Sequence, residues 1–285
     1  MAMKFSKVDE FVTAEGLPSL PGQILNILDE LGRTSAMDYT VLQKIQYDPA
    51  IALSVLKAAN SPLYGYASRI SSLQQAAGLL GPGAIRNIVL TTPILERYQD
   101  NGGLHSPLDH SRLWLHMTVT AALASGLGRC MGHTETDVYF TAGLIHGVGK
   151  IALSAYRPHA LLEWMQLAEC EQLSLLEIEK RTLGFTHVDI GVKIVETCGL
   201  PEQLISVLKN CYASENNEIP DQLSGVVCLA KNLANSWGFA DGIESVVPVG
   251  MNKLISLLKI SEKDMEEWTP QLRENVDLVV QAQEG

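Results

Sequence analysis

Apolar residues recur at helical spacing along almost the whole chain, and stop and start signals interrupt them every ten to twenty residues. No convincing run alternates polar with apolar residues, so strands are not expected and the core has to come from helix packed on helix. The punctuation can be assigned residue by residue. Asp48-Pro49 sets a capping carboxylate before a proline whose missing N–H costs nothing at the first helical position, and Leu53, Leu56 and Ala59 then share one face. Asn60-Ser61-Pro62 ends that helix. Ser72 is predicted to cap a helix that runs to Leu80 and stops at Gly81, and Pro82 to open another that reaches about Tyr98 with a kink at Pro93. Thr186 to Asp189 and Ser261 to Asp264 have the form of capping boxes, and Gly199-Leu200-Pro201 that of a stop followed by a restart.

Composition narrows the function classes. With 285 residues, 46% of them hydrophobic, the chain can bury one large core or two smaller ones. It carries 32 acidic and 21 basic side chains, a formal charge of −11, and no basic cluster offsets it, which disfavours extended nucleic acid as a partner. The five cysteines form no Cys-x-x-Cys pair, so neither a disulfide framework nor a zinc knuckle is indicated, and reducing cytoplasm is the expected location. Met1 to Val12 is too polar for a secretory signal. Leu113 to Met131 comes nearest to a membrane span, but His116 and Arg129 interrupt it and a buried helix explains it better. The polar connector Asp100-Asn101-Gly102-Gly103 suggests an N-terminal helical subdomain over 1–103 and a second helical subdomain over 104–285, against the plainer alternative of a loop within one domain.

Several short signatures follow one another in order: Leu17-Pro18-Ser19-Leu20-Pro21, Asp48-Pro49, Ala59-Asn60-Ser61-Pro62-Leu63-Tyr64-Gly65, Ile70-Ser71-Ser72-Leu73 and Leu80-Gly81, then Gly143-Leu144-Ile145-His146-Gly147-Val148-Gly149-Lys150. Each is weak alone; together, over roughly Gly16 to Tyr212, they resemble the HDOD family of bacterial signalling domains, degenerate relatives of the HD phosphohydrolases. The resemblance implies an all-α, HD-like multi-helical fold, a bacterial cytoplasmic setting and a regulatory role.

It also implies a ligand set that this chain does not complete. HD enzymes hold a divalent ion with a histidine from an earlier helix, a His-Asp pair, and a late aspartate, and some add further histidines. By resemblance His116 takes the first position, His146 the histidine of the pair, and His187 the place of a further histidine, whereas Gly147 stands at the pair's aspartate and Lys231 at the late one. Exchanging two carboxylates for a glycine and a lysine raises the charge around the ion by three units. At an effective dielectric of about 20, a lysine about 5 Å from a divalent ion repels it by about 6–7 kcal/mol. The three histidines alone remain a weak candidate for zinc, which accepts imidazole.

Plainer roles stand beside these. A histidine in an apolar helix is commonly a hydrogen-bonded core residue, and His105, His110, His133 and His159 are expected on the surface or in loops. Gly147 and Gly149 suit a helix end, and Lys231 either snorkels to solvent or sets its ammonium in the place of the ion. Asn60 to Gly65 suit a helix stop and turn, and Asn60, Tyr64 and Tyr66 alternatively an interaction surface.

Three functions are consistent with this pattern. The first is a non-catalytic signal-transduction module that binds a protein partner or a small ligand, without cofactor, membrane or extended nucleic acid. The second is a metal-dependent phosphohydrolase acting on nucleotides or cyclic nucleotides, and the third a structural helical scaffold. Fold resemblance does not choose among them.

Overall fold

Among the described residues a short 3-10 turn, Val8–Phe11, precedes the α-helices α1 (Tyr39–Gln46), α2 (Pro49–Ala59), α3 (Leu73–Thr91), α4 (His110–Cys130), α5 (Thr136–Ile145), α6 (Val148–Tyr156), α7 (Pro158–Glu171), α8 (Leu175–Leu183), α9 (His187–Thr197), α10 (Glu202–Asn210), α11 (Gln222–Ser236), α12 (Met251–Leu257) and α13 (Glu262–Glu284). The computed structural model describes residues 8–11, 17, 19, 24, 27, 28, 30, 39–61, 69–92, 109–212, 221–243 and 250–284, and no strand occurs among them. The fold is all-α.

Local chemistry sets most helix ends. The Asp48 carboxylate accepts from the Ile51 N–H at 2.9 Å and from the Ser19 hydroxyl, with Pro49 opening α2. Ser72 caps α3, and both Thr186–Asp189 and Ser261–Asp264 close reciprocal capping boxes. Gly81 takes φ 71° and ψ 171°, so α3 is two helical segments joined at a kink, with Pro82 starting the second. That second segment ends at Thr91, short of the expected Tyr98. Thr92 is already extended at φ −68° and ψ 128°, the conformation that a following proline imposes. The expected kink at Pro93 and the connector at 98–107 lie outside the described residues.

The core is organised around α4, which is buried on nearly all sides and packs against α5, α11 and α13. The apolar stretch Leu113 to Met131 is thus an interior helix. Thr136–Tyr156 is also long and apolar enough to span a membrane, but 83% of its most apolar window is buried within the fold and the turn at His146-Gly147 breaks it.

Two glycine contacts bring the later site together. A Cβ on Gly143 would stand 2.6 Å from the Ala121 Cα, so glycine lets α5 lie directly on α4. A Cβ on Gly149 would stand 1.8 Å from the His187 carbonyl oxygen, while Gly191 faces the Gly149 amide. Gly149 is therefore a close-approach residue inside α6 rather than a helix end, and it holds α9 against α6. Gly147 fits the expectation of a boundary, since it lies between α5 and α6.

Candidate functional site

Three histidines meet where α4, the α5–α6 turn and the start of α9 converge, and all three are buried. Each ring is held through Nδ1. His116 donates to the Phe239 carbonyl at 2.7 Å and His146 to the Gly143 carbonyl at 2.6 Å. His187 faces both Glu179 carboxylate oxygens, at 2.9 and 3.0 Å, and its backbone N–H donates to the same carboxylate at 2.8 Å. Carbonyl and carboxylate oxygens only accept, so these contacts put the proton on Nδ1 and the lone pair on Nε2. All three Nε2 atoms are buried without a hydrogen-bond partner among the described residues. Metal-binding histidines are oriented in the same way, by an oxygen at the far nitrogen.

The space around the rings is not furnished for a cation. The His116 and His146 rings lie 5.2 Å apart, but the Tyr212 ring is stacked on His146 at 6.3 Å and stands edge-on to His187 at 4.8 Å. Lys231, from α11, is 1% exposed; its Nζ sits 3.7 Å from the Tyr212 ring centroid and donates to the Cys211 carbonyl at 3.5 Å. Lys150, from α6 and equally buried, places its Nζ 4.9 Å from the same centroid and pairs with Asp241 at 2.5 Å. Among the described residues no three His, Cys, Asp or Glu side chains are placed to share a metal ion. Two desolvated ammonium groups in its neighbourhood repel any divalent cation, and Asp241 is engaged with one of them. The residues present do not fit a metal.

Burial pushes the His116 imidazole below its ordinary value of 6.5, with Asp241 and the Phe239 carbonyl opposing it. His146 lies well below that value, first because it is buried and then because His116 and Lys231 lie close. Both rings are neutral at neutral pH. Next to them the Cys211 and Cys228 thiols approach to 3.7 Å, and burial holds the Cys211 thiol well above its usual range.

Gly147 faces Met117, whose Sδ would lie 3.2 Å from a Cβ there. Lys231 does not snorkel; its ammonium is inside. Asn60 uses its side chain internally, donating to the Leu56 and Ile70 carbonyls at 2.9 Å and accepting from the Ile70 N–H at 2.8 Å. Tyr64 and Tyr66 lie outside the described residues. His110 corrects an expectation: it is buried in the first turn of α4 against Trp114, because it lies on the stripe that carries Leu113 and Met117. His159 is exposed, His133 is half-buried in a loop stacked on Tyr139, and His105 is not among the described residues.

Four members of the cluster had no role assigned from sequence: Lys150, Glu179, Tyr212 and Asp241. Lys150 closes the His146 segment and so was marked by position. Nothing in the sequence near Glu179 or Asp241 signals their partners.

Comparison with known proteins is consistent with this geometry. A family model described as the HDOD domain matches residues 17–214. An uncharacterized protein of Treponema pallidum (strain Nichols) is 20% identical over 200 residues, 68% of this chain but only 37% of the length of that relative. The crystal structure of the MmoQ response regulator from Methylococcus capsulatus aligns with a TM-score of 0.69 at 20% identity, covering 90% of this chain and 98% of that one. An HDOD domain protein of unknown function from Geobacter sulfurreducens aligns at 0.54 and 22% identity over 95% and 96% of the two chains. A Shewanella amazonensis protein assigned provisionally as a phosphohydrolase aligns at 0.51 and 20% identity, covering 96% of each. At such identities the likeness is one of fold.

Proposed function

The chain belongs to the HDOD domain family, and on that premise we propose that it is a non-catalytic signal-transduction module in which an HD-type cation site has been closed by the protein's own lysines. Its output is binding, to a protein partner or a small ligand, in a bacterial cytoplasm, with 1–103 and 104–285 as its two helical parts. The observation that carries this reading is the placement of the Lys231 and Lys150 ammonium groups on the Tyr212 ring, within the cluster formed by the three imidazoles.

The histidines keep the support that ligands need, through Phe239, Gly143 and Glu179, while the charge that HD chemistry takes from an ion is already supplied as fixed ammonium. An ammonium neither activates water as a metal does nor leaves coordination sites for a phosphate. Asp241 neutralises Lys150, and Glu179 stands behind His187, so the charges are partly paired without an ion. The site is thereby suited to a fixed structure and not to turnover.

The test is metal analysis of protein purified without chelators, together with phosphodiesterase assays on bis-p-nitrophenyl phosphate and cyclic dinucleotides in added Mn²⁺. The expected result is substoichiometric metal and no turnover above buffer. Stoichiometric metal with Mn²⁺-dependent turnover that His146→Ala abolishes would sink the proposal.

A further inference from the structure

Cys211 and Cys228 form a pair in space that their separation of 17 residues in sequence does not announce: the two sulfurs stand 3.7 Å apart, both side chains are buried, and both thiols are free. Cys211 ends α10 and Cys228 lies within α11, and the two helices pack on one another, so the contact is made by tertiary structure. The Cys228 sulfur also meets the Asn210 carbonyl at 3.6 Å, which holds its side chain against the end of α10.

At 3.7 Å the sulfurs touch, and a disulfide places them about 2.05 Å apart, so about 1.7 Å of approach closes the bond. Cys198 shows what burial without such a partner looks like. It too is buried, burial pushes its thiol up to about 11, and no second sulfur lies within hydrogen-bonding reach of it among the described residues.

We propose that Cys211 and Cys228 are a redox-active dithiol, a modification site that a small peroxide converts reversibly to an intramolecular disulfide. Burial selects the class of oxidant: exchange with a bulky disulfide needs room for in-line attack on a sulfur, whereas hydrogen peroxide is little larger than water. In the first step the Cys211 thiolate attacks one peroxide oxygen, the O–O bond breaks, and the departing hydroxide leaves as water with the proton that the thiol gave up. Cys211 is then a sulfenic acid. In the second step the Cys228 sulfur attacks the Cys211 sulfur, the S–O bond breaks as the S–S bond forms, and the hydroxide leaves with the Cys228 proton as a second water. The two thiols lose two electrons and two protons, and the peroxide gains both.

The surroundings set the pace of each step. Burial holds the Cys211 thiol above its usual range, the Cys228 contact adds to this, and Lys231 opposes it. The thiolate is scarce at neutral pH, so the pair responds to sustained peroxide and not to a trace. The second step is intramolecular between atoms already in contact, which favours the disulfide over further oxidation.

Tyr212 follows Cys211 directly, and Lys231 donates to the Cys211 carbonyl. Drawing Cys211 towards α11 therefore moves the ring that lies against His146 and His187. Oxidation is felt in the histidine cluster whether or not that cluster turns over a substrate.

The experiment treats the full chain with hydrogen peroxide at neutral pH, alkylates the remaining thiols in urea and maps the digest by mass spectrometry, following the His146 and His187 ring resonances in parallel. Expected are joint loss of the free thiols of Cys211 and Cys228, a peptide linked through them, displaced resonances, and reversal of all three by dithiothreitol, with Cys198 still free. Cys228→Ser removes the resolving thiol, so the linked peptide disappears and Cys211 is instead trapped as a sulfenic acid by dimedone. A urea midpoint near that of the parent shows that this variant folds, and the map of the parent stands without it. Free thiols at both positions after the exposed Cys170 has been oxidised, linkage of either sulfur to another cysteine, or equal loss of Cys198 overturns the site. Unmoved histidine resonances in the linked chain overturn its coupling to the cluster.

Discussion

The Lys231 ammonium stands 3.7 Å from the centroid of the Tyr212 ring, inside a cluster whose imidazoles are otherwise oriented as metal ligands are. A desolvated cation over an aromatic face gains about 2 kcal/mol, against the several kcal/mol that burying the charge costs. The Cys211 carbonyl, 3.5 Å from the same ammonium, accepts one of its hydrogen bonds.

The two lysines are expected to respond differently to loss of charge. Lys150→Met leaves the buried Asp241 carboxylate without its cation and should cost about 3–5 kcal/mol. Lys150→Met combined with Asp241→Leu should recover a large part of this, because no uncompensated charge then remains. Urea denaturation of the two single variants and the double variant measures the coupling; additive losses would show that the pair is not the source.

Lys231→Met keeps the length of the stem against Tyr212 and relieves the desolvation of a buried ammonium, so a loss below about 1.5 kcal/mol is expected. Lys231→Ala also opens a cavity beside Tyr212 and should cost about 2–5 kcal/mol. The same denaturation experiment compares the two. A Met variant as unstable as the Ala variant would mean that the charge itself holds the site together.

Stability should fall on acidification from neutral pH. His146, His116 and His110 all have folded values below the ordinary 6.5, so under more acidic conditions the unfolded chain takes up protons that the folded rings refuse. Stability therefore declines as pH drops below about 6.5, by up to about 1.4 kcal/mol per pH unit for each ring. Asp48 acts in the opposite direction: its raised value favours the folded state from there down towards 3.8, so it offsets part of the loss at lower pH. His146→Gln should flatten the urea midpoint between pH 6.5 and 5 by the share of one ring.

Glycines of equal chemistry should give opposite results. Gly149→Ala drives a methyl into the His187 carbonyl and should cost about 3 kcal/mol or more by separating α6 from α9. Gly78 is exposed within α3, a Cβ there meets nothing within 4 Å, and Gly78→Ala should stabilise by about 0.5–1 kcal/mol. Thermal or urea unfolding of both variants provides the comparison.

Placing an aspartate at 147 is not expected to create a metal site. Gly147→Asp presses on Met117 and brings a carboxylate to a site that retains Lys150 and Lys231. Calorimetric titration with Mn²⁺ should show no stoichiometric uptake, with a stability loss of about 1–3 kcal/mol. Tight 1:1 uptake would mean that the ammonium groups move aside.

The caps at Asp48, Ser72, Thr186 and Ser261 were legible because each is a contact between residues three apart, complete within one turn of helix. The end of α3 was placed too late, since the apolar spacing continues past Thr91 while the proline at 93 overrides it. His110 was assigned to the surface because a lone polar residue near a loop gives no sign of the face on which its helix is buried.

By itself the sequence determined an all-helical chain, its turns and the family resemblance, all of which rest on residue identity and local spacing. Only the tertiary structure decided that Lys231 stays inside on Tyr212, that Lys150 meets Asp241 across 91 residues, and that Glu179 orients His187. Those pairings depend on how closely the helices approach, which Gly143 and Gly149 set by lacking a side chain. Spacing along one strand of sequence carries no record of which distant charge a buried ammonium will find, because desolvation makes the partner obligatory but packing selects it.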